Sequence, residues 1–188
     1  REVYNIGFSS IHITDTKEEA KRISKLIFNK NGIHFLNHSK PYTYINIYKK
    51  LNEFQKYLNL NNISNQDLVL DGSIILSLYG IRKNEDIDFL LDDNGKLISN
   101  DYKYDTHDSE LKYHKQNKKE LIHNSKYYFE FNGFKFLSFQ QLFYMKTNRN
   151  EKKDLNDCDL MSALVDKSNF KKFLIKQKQT FYYFKLRL

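Results

Sequence analysis

The stretch that most restricts how this chain can fold is 68–91, LVLDGSIILSLYGIRKNEDIDFLL. It ends in two aspartates, Asp86 and Asp88, which alternate with Ile87 and Phe89 inside an apolar run. A period of two is that of a strand, and it sends Asp86 and Asp88 to one face and Ile87 and Phe89 to the other. A sheet that buries Ile87 and Phe89 therefore brings two carboxylates together on its opposite face. Aligned carboxylates repel one another, and a carboxylate taken out of water is costly without a cation beside it. The fold must offer this face a cation.

The neighbouring sequence supplies a setting for such a face. Residues 68–70 read as a short buried strand, Asp71-Gly72-Ser73 as a turn, and 73–80 as one or two turns of helix closed by Gly80. Upstream, 4–14 are β-branched and aromatic enough for a strand or two. Asp15 or Thr16 then caps a helix with Glu18 and Glu19 in its first turn. Ala20, Ile23, Leu26 and Ile27 are its apolar stripe, and Asn31-Gly32 stops it. Residues 33–37 form a short apolar segment. Pro41 opens a second helix, about 42–59, with Tyr44, Ile45, Tyr48, Leu51, Phe54 and Leu58 on its apolar side.

Downstream, 92–95 signal a turn, 102–107 alternate as a third strand, and 110–125 read as basic helix and loop. Residues 127–138 form a hairpin about Asn132-Gly133, the pair preferred in two-residue turns. Ser138 caps a helix over 139–150, another helix covers 151–165, and 170–188 are a basic aromatic tail. This order predicts an α/β (α+β) protein: a mixed β-sheet with flanking helices.

Composition sets outer bounds. The chain has 188 residues, enough for one domain, and 40% of them are hydrophobic, so a core can form. A net charge of +8 suits an anionic partner or a solvated basic surface. The lone Cys158 cannot pair within the chain, no zinc-type Cys/His cluster is present, and no apolar run is long enough to span a bilayer. A cytoplasmic location fits. The chain begins at Arg1, as an excised piece of a longer protein would.

The carboxylate pair points to a hard cation, Mg²⁺ (or Mn²⁺), which takes oxygen ligands. It usually binds one or two carboxylates together with substrate phosphates. The ligand is then phosphorylated. Gly72 and Ser73 lie between a strand and a helix, where backbone can approach a phosphate and helix amides can face it. Arg82 lies just beyond the helix, in reach of the same phosphates.

The run from Gly72 to Asp88 resembles the signature of the DNA polymerase β-like nucleotidyltransferase superfamily. That signature is Gly, then Gly or Ser, roughly ten residues, then Asp-apolar-Asp-apolar. Gly72, Ser73, Asp86 and Asp88 match it. A second stretch, 136–160, is similar to the segment after the hairpin in small single-domain members. In those members a Lys and an Arg precede Lys-Asp-x-x-Asp, and the matching positions are Lys146, Arg149, Lys153, Asp154 and Asp157. Lys146, Arg149, Lys153 and Asp157 share one helical face if a single helix runs through them. Taken alone, they also suit a solvated charged face.

The resemblance covers about 66–160. It implies the mixed sheet of the nucleotidyltransferase fold as a single domain of 1–188. Within it, 1–65 is a helical extension, 66–160 the core and 161–188 a basic helix or tail. It implies that Asp86 and Asp88 bind the metal, and that Gly72, Ser73, Arg82, Lys146, Arg149 and Lys153 bind nucleotide or phosphate. A third carboxylate is expected on a neighbouring strand; Asp105 is preferred and Glu130 is the alternative. His12, Asp15 and Glu19 read as a capped helix start, with a substrate-binding role as the second reading.

The implied activity is Mg²⁺-dependent nucleotidyl or phosphoryl transfer from a nucleotide donor to a small-molecule or glycan acceptor. The whole chain also resembles nucleotidyltransferase-like proteins found with surface-polysaccharide genes in low-GC bacteria, which suggests polysaccharide biosynthesis. The alternatives are a nucleotidyltransferase toxin modifying RNA or protein, a metal-dependent glycosyltransferase using Asp86-Ile87-Asp88, and a non-catalytic nucleotide-binding module. A nucleic-acid partner is compatible with the charge but is not preferred.

Overall fold

The Thr16 hydroxyl accepts the Glu19 N–H at 3.1 Å, and Glu18 and Glu19 occupy the positive end of helix α1 (Lys17–Ile27). The computed structural model describes residues 15–92 and 103–166, and beyond these 171, 173–178 and 180. The strand signal in 4–14, the turn signal beyond Asp92 and most of the basic tail lie outside the described residues, as does His12.

Helix α1 does not run on to Asn31-Gly32. It ends at Phe28, and the Asn29 side chain accepts from the Asn31 and Gly32 amides, which starts α2 (Lys30–His38). The same Asn29 amide group donates to the carbonyls of Ser125 and Tyr128. A cap tied to distant backbone overrides the local stop signal. Residues 33–37, expected as a separate apolar segment, lie inside α2.

Pro41 opens a short 3₁₀ turn (Pro41–Tyr44), and α3 (Asn46–Leu60) follows. Its buried stripe is Ile47, Leu51, Phe54, Tyr57 and Leu58, whereas Ile45 is exposed. Of the rest of the expected stripe, Tyr48 is half-buried against the core and Tyr44 is half-buried; Ile45 alone is out of phase, because the α-helical turn begins only after the 3₁₀ turn.

The sheet holds β1 (Leu68–Asp71), β2 (Ile87–Leu91), β3 (Tyr104–Thr106), β4 (Tyr128–Phe131) and β5 (Phe134–Leu137), in the order β3-β2-β1-β5-β4. Strand β1 is antiparallel to β2 and parallel to β5; β2 is parallel to β3, and β4 is antiparallel to β5. The described residues thus form a mixed α/β fold. Between β1 and β2 lies α4 (Ser73–Leu78). The hairpin turns on Asn132 and Gly133, both at positive φ (49° and 81°), as a type I′ turn requires.

Every residue of β1 and of β5 is buried, so these strands are covered on both faces. On one face, Phe35 of α2 stacks on Phe129 at 4.6 Å, and Phe54 of α3 meets Phe89 at 5.3 Å. Each ring buried here contributes roughly 2–3 kcal/mol. Helix α3 therefore shares the core of the sheet. The opposite face carries the aspartates. The short α5 (Leu111–His114), then α6 (Lys118–His123), α7 (Phe139–Arg149) and α8 (Lys152–Val165) complete the described elements around it. Ser138 caps α7 by accepting the Gln141 N–H at 3.1 Å. No helix among the described residues is long and apolar enough to cross a membrane.

Candidate functional site

Strand register brings three carboxylates into a row. Asp71 on β1 pairs with Asp88 on β2, and Asp88 pairs with Asp105 on β3. Residues directly opposite in a sheet project to the same face. The three have different surroundings.

Asp71 is wholly buried and fully partnered. Its Oδ2 accepts from His107 Nδ1 at 2.8 Å and His114 Nε2 at 2.9 Å, and its Oδ1 accepts the Gly72 N–H at 2.6 Å. Burial opposes ionisation. The charge of His114 and the hydrogen bonds from both histidines outweigh it and hold the carboxyl well below the usual range. Burial also opposes a proton on His107. There the hydrogen bond and charge of Asp71, with a contribution from Asp88, prevail over burial and Arg149 and raise the imidazole above its ordinary value.

Asp88 is half-buried and has neither a hydrogen bond nor an ion pair among the described residues. Burial pushes its carboxyl up to about 6; His107 opposes the rise, and the like charges of Asp86, Asp71 and Asp105 add to it. Beside it the chain turns at Gly72, at φ 68° and ψ −142°. A Cβ on Gly72 would collide with Asp88 Oδ2. Only glycine combines this backbone conformation with so close a carboxylate. Asp86 precedes β2 and is exposed.

Facing these carboxylates is a cationic wall. Helix α7 ends at Arg149, Asn150 turns the chain at φ 58°, and Glu151 starts α8. The two helices expected over 139–150 and 151–165 are thus both present, and no single helix runs through Lys146, Arg149, Lys153 and Asp157. The charges meet because α8 folds back, not because they share one helical face. Buried Asp154 accepts from Lys146 Nζ at 3.0 Å and from Arg149 Nε and Nη2 at 2.7 and 2.8 Å. Asp157 accepts from Arg82 Nε and Nη2 at 2.7 and 2.9 Å and pairs with Lys146 at 2.9 Å. Glu110 takes the remaining edge of Arg149 at 3.2 Å. Two bidentate arginine pairs fix the planes of both guanidinium groups. For Asp154, burial opposes ionisation, but Arg149 and Lys146 hold the carboxyl below its usual range.

The two walls enclose a cavity of about 350 Å³. Gly72, Ser73, Asp86, Asp88 and His107 line one part, and Arg82, Lys146, Arg149 and Lys153 another. Lys83 and Glu85 complete the lining, giving five cations against three carboxylates. Nearly all the residues expected at the site converge here. Lys146 directs two of its three N–H groups to Asp154 and Asp157, so it braces the wall more than it reaches out. Lys153 sits exposed at the rim, 3.2 Å from Glu151.

The two candidates for the third carboxylate have different places. Asp105 stands beside Asp88 in register but is exposed and does not line this cavity. Glu130 is bound to Lys25 at 2.9 Å on β4 and takes no part in the cavity. Among the described residues no three His, Cys, Asp or Glu side chains stand together as a metal cluster. A divalent ion here would rest on Asp86 and Asp88 and complete its shell from a ligand and water, which suits Mg²⁺. The unpartnered Asp88 fits that role.

Asp71, His107, His114 and Glu110 are the site residues that the sequence motifs missed. They lie far from their partners along the chain; His107 and His114 are 36 and 43 residues from Asp71. The one local signal is the alternation of 102–107, which carries His107 two residues after Asp105, although β3 ends at Thr106 and His107 opens the next turn. Comparisons of the chain with protein-family models, with curated proteins and with solved structures found no match.

Proposed function

We propose that this protein is a Mg²⁺-dependent nucleotidyltransferase or phosphotransferase that acts from a nucleotide donor on a small-molecule or glycan acceptor. The observation that carries this reading is the unpartnered, half-buried Asp88 across a small cavity from a wall of pre-positioned cations. Asp86 and Asp88 would hold the ion, whose chemistry is to neutralise and order the phosphates. Arg82, half-exposed and locked by Asp157, binds phosphate oxygens without reorganising first, and Arg149, paired with Asp154 and Glu110, adds its charge to the wall behind it. Gly72 lets the turn after β1 stand directly against the Asp88 carboxylate in the wall of the cavity. Positioning and charge neutralisation supply most of the acceleration in such transfers.

An adjoining groove favours a polyol acceptor over a nucleic acid. About 460 Å³ in volume, it shares Glu85 and Asp86 with the main cavity and adds Lys50, Glu53, Lys103 and Tyr104. Its lining mixes two cations and three carboxylates with Ile87 and the ring of Tyr104, which suits hydroxyl groups better than a phosphate backbone. A role in polysaccharide biosynthesis is what the resemblance suggests, and a groove suited to hydroxyl groups is compatible with it. The buried, lone Cys158 is in keeping with a reducing cytoplasm.

The test is Mg²⁺-dependent pyrophosphate release from each of the four nucleoside triphosphates with sugar acceptors. Asp86→Ala and Asp88→Ala should each lower it by at least about 1000-fold, with circular dichroism unchanged. Full turnover in either variant would refute the metal assignment.

A further inference from the structure

Two histidines bond the same carboxylate oxygen, but only one of them reaches the cavity. The His114 side chain is wholly buried; Gln141 Nε2 lies 3.0 Å from its carbonyl oxygen and 3.4 Å from its Nδ1. It is a strut. The His107 side chain keeps 13% of its surface and lines the cavity with Ser73 and Asp88. Its Nδ1 is tied to Asp71, which has no exposure. The accessible edge of the ring is therefore the one that carries Nε2, and no hydrogen bond to that nitrogen is made among the described residues.

An ionised carboxylate only accepts, so Nδ1 carries the proton and neutral His107 presents a lone pair on Nε2. Chain geometry sets this up. Strand β3 ends at Thr106, and His107 opens a 3₁₀ turn (His107–Glu110) that brings the ring over the row of aspartates.

We propose that His107 is the proton acceptor of the transfer reaction, with Asp71 fixing its tautomer and orientation; the proposal rests on the nucleotidyl-transfer reading above. In that reaction the acceptor oxygen forms a bond to the α-phosphorus as the bond from phosphorus to the bridging oxygen of pyrophosphate breaks. Pyrophosphate leaves with that electron pair. The acceptor's hydroxyl proton moves to His107 Nε2 and then to solvent. The dyad takes the place of the third carboxylate that the resemblance leads one to expect as general base, and Asp105 is not that base.

Two measurements test the proposal. The first needs no ligand: long-range proton–nitrogen NMR of the ¹⁵N-histidine protein, at a pH where the ring is neutral. His107, assigned by its loss in His107→Gln, should be the Nδ1–H tautomer. An Nε2–H tautomer overturns the proposal, because that nitrogen could not accept.

The second is pyrophosphate release from ATP, GTP, CTP and UTP with Mg²⁺ and water as the acceptor. His107→Ala should lower the rate by at least about 100-fold with KM for the nucleotide nearly unchanged, and added imidazole should restore it about tenfold. His107→Gln, whose amide keeps an N–H for Asp71, should fold like the wild type and lose a similar rate. A His107→Ala rate within about threefold of the wild type while Asp88→Asn is inactive overturns the role of His107 alone. A wild type that releases no pyrophosphate, or an Asp88→Asn variant that releases as much as the wild type, overturns the reading itself and the proposal with it.

Discussion

The two walls of the cavity are built from the same kinds of residue and treat them in opposite ways. On the α7–α8 side, Lys146, Arg149 and Arg82 face Asp154, Asp157 and Glu110 with close to full pairing. On the strand side, Asp88 stands half-buried with no ion pair among the described residues, beside Asp86 and in register with Asp105. A paired buried charge is part of the scaffold, and removing its partner is expensive. An unpaired buried carboxylate costs stability in the free protein and returns it when a cation arrives. The contrast separates charged residues that have a structural partner from those that have none.

The largest expected effect breaks the paired wall. Asp154→Asn leaves both Lys146 and Arg149 short of a counter-charge and should cost about 3–5 kcal/mol, read as a Tm lower by roughly 10 °C. A loss below about 1 kcal/mol would mean that the network is not scaffold. Next is Gly72→Ala, which forces an L-residue into a glycine conformation and drives a methyl group into Asp88. It should cost about 2–3 kcal/mol by urea unfolding, and a neutral result would remove the case for close packing there.

The third effect has the opposite sign and sharpens the contrast. Asp88 loses its proton near pH 4 when unfolded and near 6 when folded. The folded state holds the extra proton between those values, so stability falls as pH rises through that window and stays lower above it. That rise corresponds to a ceiling of about 3 kcal/mol, which solvent at the cavity mouth reduces to about 1–2 kcal/mol. Asp88→Asn should therefore melt with the wild type below pH 4 and above it, in Tm, beyond pH 6 without metal. A lower Tm at pH 7.5 would mean that Asp88 already has a partner. The smallest effect is a control: Glu130→Gln breaks an exposed pair with Lys25, should cost under about 1 kcal/mol, and should leave turnover as it was.

These two walls also differ in how far the sequence revealed them. Asp86 and Asp88 are legible because strand period puts them on one face, and Gly72 because a turn between strand and helix favours glycine, here set against the Asp88 carboxylate. The Asn132-Gly133 hairpin and the Ser138 cap are local chemistry and appear as expected. Tertiary contacts decided the rest. Asn29 continues the helical run past Phe28 because its side chain is anchored to Ser125 and Tyr128. The two helices over 139–150 and 151–165 were legible, but that their charges meet across the turn at Asn150 was not. The Asp71–His107–His114 group has no motif, since strand register and a 3₁₀ turn assemble it from three separate segments.

The central claim is that Asp86 and Asp88 bind a Mg²⁺–nucleotide complex. The most direct measurement is thermal melting of the wild type and the Asp86→Ala/Asp88→Ala double variant, with Mg²⁺ and each of the four nucleoside triphosphates. A ligand that binds only the folded state raises Tm by mass action. The account predicts a Mg²⁺-dependent rise with at least one nucleotide in the wild type and none in the double variant. No rise with any nucleotide, or an equal rise in both proteins, would contradict it.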